Sequence, residues 1–275
     1  MTRIVRWDGC VNVRDLGGLP LRGGGETRYR VVVRADSLRT LTEEGRRALV
    51  DYGVTRAIDL RHDGEVAGDA PGDLPVPVVR LPIETRHDAV IRDWPTMREV
   101  YEALLERFQS TFARAVAELA RGEPPVAVHC AGGRDRTGLV CGLVSWLAGV
   151  EPDAIASDHA LSDDSWEPYN AQWWAEAPDE AERDRRRRIS LPAGRTMVDV
   201  LERLGDVRGY LLAGGASPDE LDTIVVRLRG STASPSETPR PVRAGRRGCS
   251  GTSSERGSWC RGEAPGASGS TASAS

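Results

Sequence analysis

Apolar residues in this chain fall into short dense runs separated by stretches at helical spacing. Tyr29–Arg34 is rich in β-branched residues and reads as a strand, as do Val54–Leu60 (VTRAIDL), Val78–Leu81 and Val126–Val128. Ser37 or Thr42 is placed to cap a helix running to about Tyr52. From Arg98 to Arg121, Val100, Leu104, Leu105, Phe108, Phe112, Val116 and Leu119 recur at spacings of one, three and four, which predicts one helix, stopped by Gly122 and Pro124-Pro125. Thr137–Leu147 reads as a helix that is apolar almost all round, hence buried. Asn12–Pro20 and Asp63–Pro77 carry turn residues and read as loops. Strands alternating with helices predict an α/β fold, a mostly parallel central sheet flanked by helices.

Beyond Glu151 the pattern is mainly helical, with segments over Asp158–Trp174, Thr196–Leu204 and Ser217–Leu228. Trp166, Tyr169 and Trp173 share one side of the first, as core packing or as a mobile lid over the loop that follows Val126–Val128. The run Arg185–Arg188 follows acids at favourable helical spacing and reads as a solvated face. After Gly230 the periodicity vanishes. Residues 231–275 are rich in Ser, Gly, Pro and Arg and predict a disordered tail behind one catalytic-sized domain at 1–230.

Charge narrows the function classes. The chain of 275 residues has net charge −4, and its 37 basic residues are all Arg. The tail carries six Arg and three Glu, which leaves the body at −7. An acidic body argues against a nucleic-acid partner. The N-terminus lacks an apolar signal region, and the longest apolar run, Leu139–Val150, is too short for stable membrane insertion. The five cysteines are odd in number and widely spaced, which fits neither a disulfide framework nor a zinc site. A reducing, cytoplasmic location is the expectation, with export by a route lacking a recognisable signal as the alternative.

The chemistry concentrates in Val126–Gly138 (VAVHCAGGRDRTG), which reads as strand, loop and helix start. Cys130 opens the loop and Arg136 closes it. A loop at a helix N-terminus turns successive N–H groups inward and forms an anion nest. Gly132 and Gly133 permit the backbone angles this requires. Ala131, Gly132, Gly133, Arg134, Asp135 and Arg136 are therefore the candidate phosphate-binding residues, and the Arg136 guanidinium matches two phosphate oxygens. The same positive field favours the thiolate of Cys130, the candidate nucleophile.

This stretch resembles the His-Cys-x5-Arg-Thr/Ser-Gly loop of the cysteine-dependent protein phosphatases at each fixed position: His129, Cys130, Arg136, Thr137 and Gly138. More narrowly, Gly133–Gly138 (GRDRTG), Asn12–Gly18 (NVRDLGG, with Arg14), Arg34–Leu38 (RADSL), Ile58–Arg61 (IDLR, with Asp59) and Gly209-Tyr210-Leu211 resemble a bacterial tyrosine-phosphatase family with dual-specificity and phosphoinositide activity. The likeness runs from about Trp7 to Arg229, with Arg134 where that family often has Lys.

The resemblance implies a tyrosine-phosphatase-like fold and phosphomonoester hydrolysis through a cysteinyl-phosphate, with no cofactor and no metal. A phosphotyrosine protein is the first substrate class; phosphoserine/threonine and phosphoinositide follow. Thr137 is implied to ease departure of the Cys130 thiolate. His129 is implied to order the loop, and Arg14 to order it or to lie near the substrate. The resemblance offers three acids for the leaving group: Asp135 within the loop, Asp93 at 37 residues before Cys130, and Asp59. A phosphate-binding module without turnover is the reading from another class.

Overall fold

The structure is a computed structural model that describes residues 2–67, 74–83, 96–190 and 193–230. Asp93 and the tail at 231–275 lie outside the described residues. Among the described residues five strands form one sheet: β1 (Arg14–Asp15), β2 (Val32–Ala35), β3 (Arg56–Asp59), β4 (Val78–Arg80) and β5 (Val126–His129), in the order β1-β2-β5-β3-β4. β1 is antiparallel to β2 and every other pair is parallel. Side chains alternate across this sheet as the strand period of two requires. Val32, Ile58, Val126 and Val128 enter the larger apolar cluster. Val33, Ala35, Ala57 and Ala127 face the other side, against Trp7, Leu38 and Leu49.

The helices are α1 (Glu43–Asp51), α2 (Asp63–Val66), α3 (Met97–Arg107), α4 (Gln109–Arg121), α5 (Asp135–Leu147), α6 (Pro152–Ala175), α7 (Glu180–Ile189), α8 (Gly194–Leu204), α9 (Val207–Ala213) and α10 (Pro218–Arg229). The side chain of Thr42, the N-cap of α1, accepts from the Gly45 N–H. α1 supplies Leu49 to the smaller cluster, while α3, α4, α5, α8 and α10 supply the larger one. α5, apolar all round, is covered by those helices and buries Leu139, Val140, Leu143 and Val144. Among the described residues no helix is long and apolar enough to cross a membrane.

Three expected elements differ, each for a local reason. The segment from Arg98 to Arg121 is two helices that meet at Phe108 (φ −113°, ψ 26°). The Tyr210 hydroxyl donates to the Leu105 carbonyl at 2.7 Å, and the Gln109 side chain donates to the Tyr210 carbonyl at 3.0 Å. In an unbroken helix the Leu105 carbonyl would accept from the Gln109 N–H. The loop expected at Asp63–Pro77 opens with α2, closed by a capping box: His62 accepts from the Gly64 N–H, and Glu65 accepts from the His62 N–H at 2.9 Å. Within the turn expected at Asn12–Pro20, Arg14–Asp15 forms the antiparallel edge of the sheet.

Candidate active site

β5 ends at His129, in register with Ala35 of β2 and Asp59 of β3. The segment 130–134 then joins β5 to α5, which begins at Asp135. This loop is held by its carbonyl oxygens. Ala131 O accepts from the Ser37 N–H at 2.9 Å. Gly132 O accepts from Asn12 Nδ2 at 2.8 Å and Trp166 Nε1 at 2.7 Å. Gly133 O accepts from Arg34 Nη2 at 2.8 Å, and Arg134 O accepts from the Gly138 N–H at 2.9 Å. A planar trans peptide sets its N–H opposite its C=O. Carbonyls drawn outward therefore turn the following N–H groups inward, and the one at Gly133 points to Cys130 Sγ at 3.3 Å. Cys130 is buried, only 3% exposed. A loop whose N–H groups turn toward a sulfur in this way suits a tetrahedral oxyanion.

The glycines have separate reasons. Gly133 has φ +65°, and a Cβ there would lie 2.5 Å from Ala35 O. At Gly138, in the first turn of α5, a Cβ would fall 2.5 Å from His159 Cε1. The Thr-Gly pair of the motif thus closes the loop and admits a ring from α6.

Arg136 is bound fork to fork by Glu65: Nη1 to Oε2 at 2.6 Å and Nη2 to Oε1 at 2.7 Å. Burial alone would raise the Glu65 carboxyl, but the Arg136 bonds outweigh it and hold the group below its ordinary range. Arg134 is drawn the other way, Nε to Asp163 Oδ1 at 2.7 Å.

Behind the loop lies a charged core. Asp158, on α6, receives Arg14 Nε at 3.0 Å and Arg34 Nη1 at 2.7 Å, and also pairs with Arg3. Arg14 further donates to the Asp158 carbonyl at 2.6 Å and to Ser162 Oγ at 2.9 Å. Burial would raise the Asp158 carboxyl; Arg14, Arg34 and Arg3 reverse this and hold it far below its ordinary range. Arg14 is 1% exposed and bonded to Asn12, Asp158 and Ser162.

The acid candidates are separated by their partners. Asp59 is buried and clamped by Arg61, Nε to Oδ1 at 3.0 Å and Nη2 to Oδ2 at 2.8 Å. Burial raises its carboxyl, the Arg61 bonds and the nearby His129 together outweigh this, and the net direction is down, toward a fixed anion. Asp135 is partly exposed, and its Oδ1 accepts from the Tyr101 hydroxyl at 2.7 Å. His129 lies beneath the loop, with Nδ1 3.4 Å from Cys130 O and Nε2 3.9 Å from Asp59 Oδ1. Thr137 is fully buried, and among the described residues its hydroxyl has no hydrogen-bond partner.

Several of these residues escaped the sequence reading. Asp158, His159, Ser162 and Asp163 lie at i, i+1, i+4 and i+5 on α6, a polar face turned inward that an apolar periodicity does not register. Trp166 lies against the phosphate loop, bonded to Gly132 O, instead of filling the core, while Tyr169, its ring tilted by 60° against Trp166 with centroids 5.4 Å apart, is 49% exposed. Glu65 had one sequence signal, its spacing of three from His62.

A model of the tyrosine phosphatase family matches residues 5–230 of this chain. The chain is 28% identical over 251 residues to the triple specificity protein phosphatase PtpB of Mycobacterium tuberculosis, a match over 72% of this chain and 88% of that protein. It is 27% identical over 215 residues to a tyrosine-protein phosphatase of Nostoc commune, over 71% of this chain and 73% of that one. A crystal structure of P. aeruginosa TpbA in complex with pTyr covers 75% of this chain and 92% of its own at 17% identity and a TM-score of 0.35, a likeness too loose to carry weight. The matched span takes in the Cys130 loop, the strands beside it and the helix that braces it, and the chain belongs to the tyrosine phosphatase family.

Proposed function

We propose that the protein hydrolyses phosphotyrosine monoesters through a cysteinyl-phosphate on Cys130. The observation that supports this reading is the outward bonding of the loop carbonyls together with the Gly133 N–H directed at the Cys130 sulfur. In the first step Cys130 Sγ attacks phosphorus in line and the ester P–O bond breaks. Arg136 and the loop amides hold the three equatorial oxygens. Asp135, the acid reachable from solvent in the loop, gives its proton to the leaving oxygen. In the second step water attacks phosphorus, its proton passes to Asp135, and the S–P bond breaks. The unspent Thr137 hydroxyl stabilises the departing thiolate. His129, Asp59 and Arg14 keep loop and strand ends in place.

Substrate breadth follows from the charge around Arg134. The relative from Mycobacterium tuberculosis is named for triple specificity. In this chain Asp163 partly neutralises Arg134, which lowers the local attraction for a second phosphate and favours phosphotyrosine over a phosphoinositide.

The test is phosphate release without added metal from a phosphotyrosine peptide, a phosphoserine peptide and a phosphatidylinositol monophosphate, wild type beside Cys130→Ser. Release from the phosphotyrosine peptide, lost in Cys130→Ser, is the expected result. Phosphate binding without release from any substrate would leave a binding module instead.

A further inference from the structure

We propose that Tyr101 is a positioning residue for Asp135, with its own hydroxyl set by His159. The inference rests on the reading of Asp135 as the acid. Three elements meet here: α3 brings Tyr101, α5 starts with Asp135, and α6 brings His159. The Tyr101 hydroxyl donates to Asp135 Oδ1 at 2.7 Å and lies 3.0 Å from His159 Nε2. The two rings meet edge to face, with centroids 5.8 Å apart. Both are buried, Tyr101 wholly and His159 to 1%.

The proton inventory orders this chain. A tyrosine has one hydroxyl proton. With that proton on Asp135, the bond between Tyr101 and His159 needs an N–H at Nε2, so His159 is assigned the neutral tautomer with a bare Nδ1. Among the described residues Nδ1 has no hydrogen-bond partner, as that tautomer allows. Burial first, then Arg34 and Arg134, push the imidazole well below its ordinary pKa and keep it neutral. Burial and the nearby Asp135 carboxyl keep Tyr101 protonated, hence a donor. The His159 ring fills the space a side chain at residue 138 would take: a Cβ there would fall 2.5 Å from its Cε1 and 2.7 Å from its Nδ1.

The consequence falls on Asp135. With Oδ1 accepting from Tyr101, the proton of the acid form resides on Oδ2. Tyr101 therefore selects which oxygen delivers the proton and fixes the carboxyl plane. The charged groups around this carboxyl are Arg134, with Nη1 at 4.0 Å, and Asp163, which binds Arg134 in turn. Neither fixes a plane as a short hydroxyl bond does.

A tyrosine that merely satisfies its buried hydroxyl predicts something different, so leaving-group dependence decides. The measurement is kcat for 4-nitrophenyl phosphate and phenyl phosphate in the full chain, for wild type, Tyr101→Phe, Asp135→Asn and the double variant. A phenolate that leaves unaided needs no acid, whereas phenol does. Tyr101→Phe is expected to slow phenyl phosphate about tenfold, a fraction of the ~10²–10⁴ that a general acid supplies, and to leave 4-nitrophenyl phosphate nearly unchanged. In the Asp135→Asn background it should add nothing, since the group it positions is gone. Equal slowing of both esters, or a loss that multiplies with that of Asp135→Asn, would reduce Tyr101 to packing. If Asp135→Asn itself shows no leaving-group dependence, the acid assignment fails and this inference with it.

Discussion

Glu65 and Arg136 meet as two planar forks at 2.6 and 2.7 Å, so the last residue of the phosphate loop is aimed by a carboxylate 71 residues earlier in the chain. The pair sets the plane in which the guanidinium faces an incoming phosphate. Glu65→Gln keeps the shape and removes the charge and one acceptor. A misaimed oxyanion ligand costs about 10² in rate for an error of about 1 Å. We expect kcat/KM to fall by about 10–100-fold while the thermal midpoint moves little, because Glu65 is part-exposed. Steady-state kinetics beside a thermal melt will check this; unchanged kinetics would show that Arg136 is aimed by other contacts.

Asp158 offsets two arginines that are each 1% exposed, Arg14 and Arg34. Asp158→Asn leaves that charge unpaired in the core. Removing one partner of a buried ion pair costs about 3–5 kcal/mol. The expected readout is a large drop in denaturant midpoint with loss of activity, since Arg34 also holds Gly133 O.

The same carboxylate sets an acid limit. Folding lowers the pKa of Asp158, so the folded state binds its proton less readily than the unfolded chain. Its contribution is fully present above the unfolded value of about 3.9 and is lost as pH falls below it. Glu65 and Asp59 shift in the same direction. Unfolding free energy measured from pH 7 to pH 3 should fall steeply below about pH 4, and Asp158→Asn should flatten that slope.

The two loop glycines should respond differently to alanine. At Gly133 a Cβ meets Ala35 O at 2.5 Å and the backbone is left-handed, whereas at Gly132 it meets the Trp166 ring at an ordinary 3.5 Å. Gly133→Ala is expected to reduce kcat by about 10² or more, as loss of a preorganised donor does. Gly132→Ala should stay within about threefold of wild type, a change of about 0.6 kcal/mol in barrier. Kinetics of the two variants side by side will test this.

The thiols differ too. Burial, with Asp36 nearby, pushes Cys10 up to about 12, and burial pushes Cys141 up to about 11. Both are protonated at neutral pH and unreactive. Iodoacetamide at pH 7 should modify Cys130 and spare Cys10 and Cys141, read by peptide mass mapping. Cys10 is only partly buried, so its early labelling would contradict the raised pKa that keeps it a thiol.

What the sequence made legible is what local chemistry dictates. Cys130, Arg136, the two glycines and the strand-loop-helix frame follow from residue types at fixed spacing, and β5 and α5 stand where the pattern put them. The supporting shell was not legible. Glu65, Tyr101, His159 and Asp158 act through partners 71, 34, 58 and 144 residues away, and no periodicity encodes such pairings. The break at Phe108 was hidden for the same reason, since it depends on Tyr210 of a distant helix. Short α2 was masked by the turn residues around it.

The scattered origin of the loop's outer bonds limits how this site can be inherited or moved. Asn12, Arg34, Ser37 and Trp166 each grip a different carbonyl or share one, and they lie on both sides of the loop in the sequence. A segment from Val126 to Gly138 transplanted into another α/β protein would carry the nucleophile and the arginine without the grip that turns the amides inward. The signature is thus not a portable cassette. Recombination that splits the chain between Trp166 and Asn12 would separate the loop from its mould, and only exchange of the whole domain would pass the activity on.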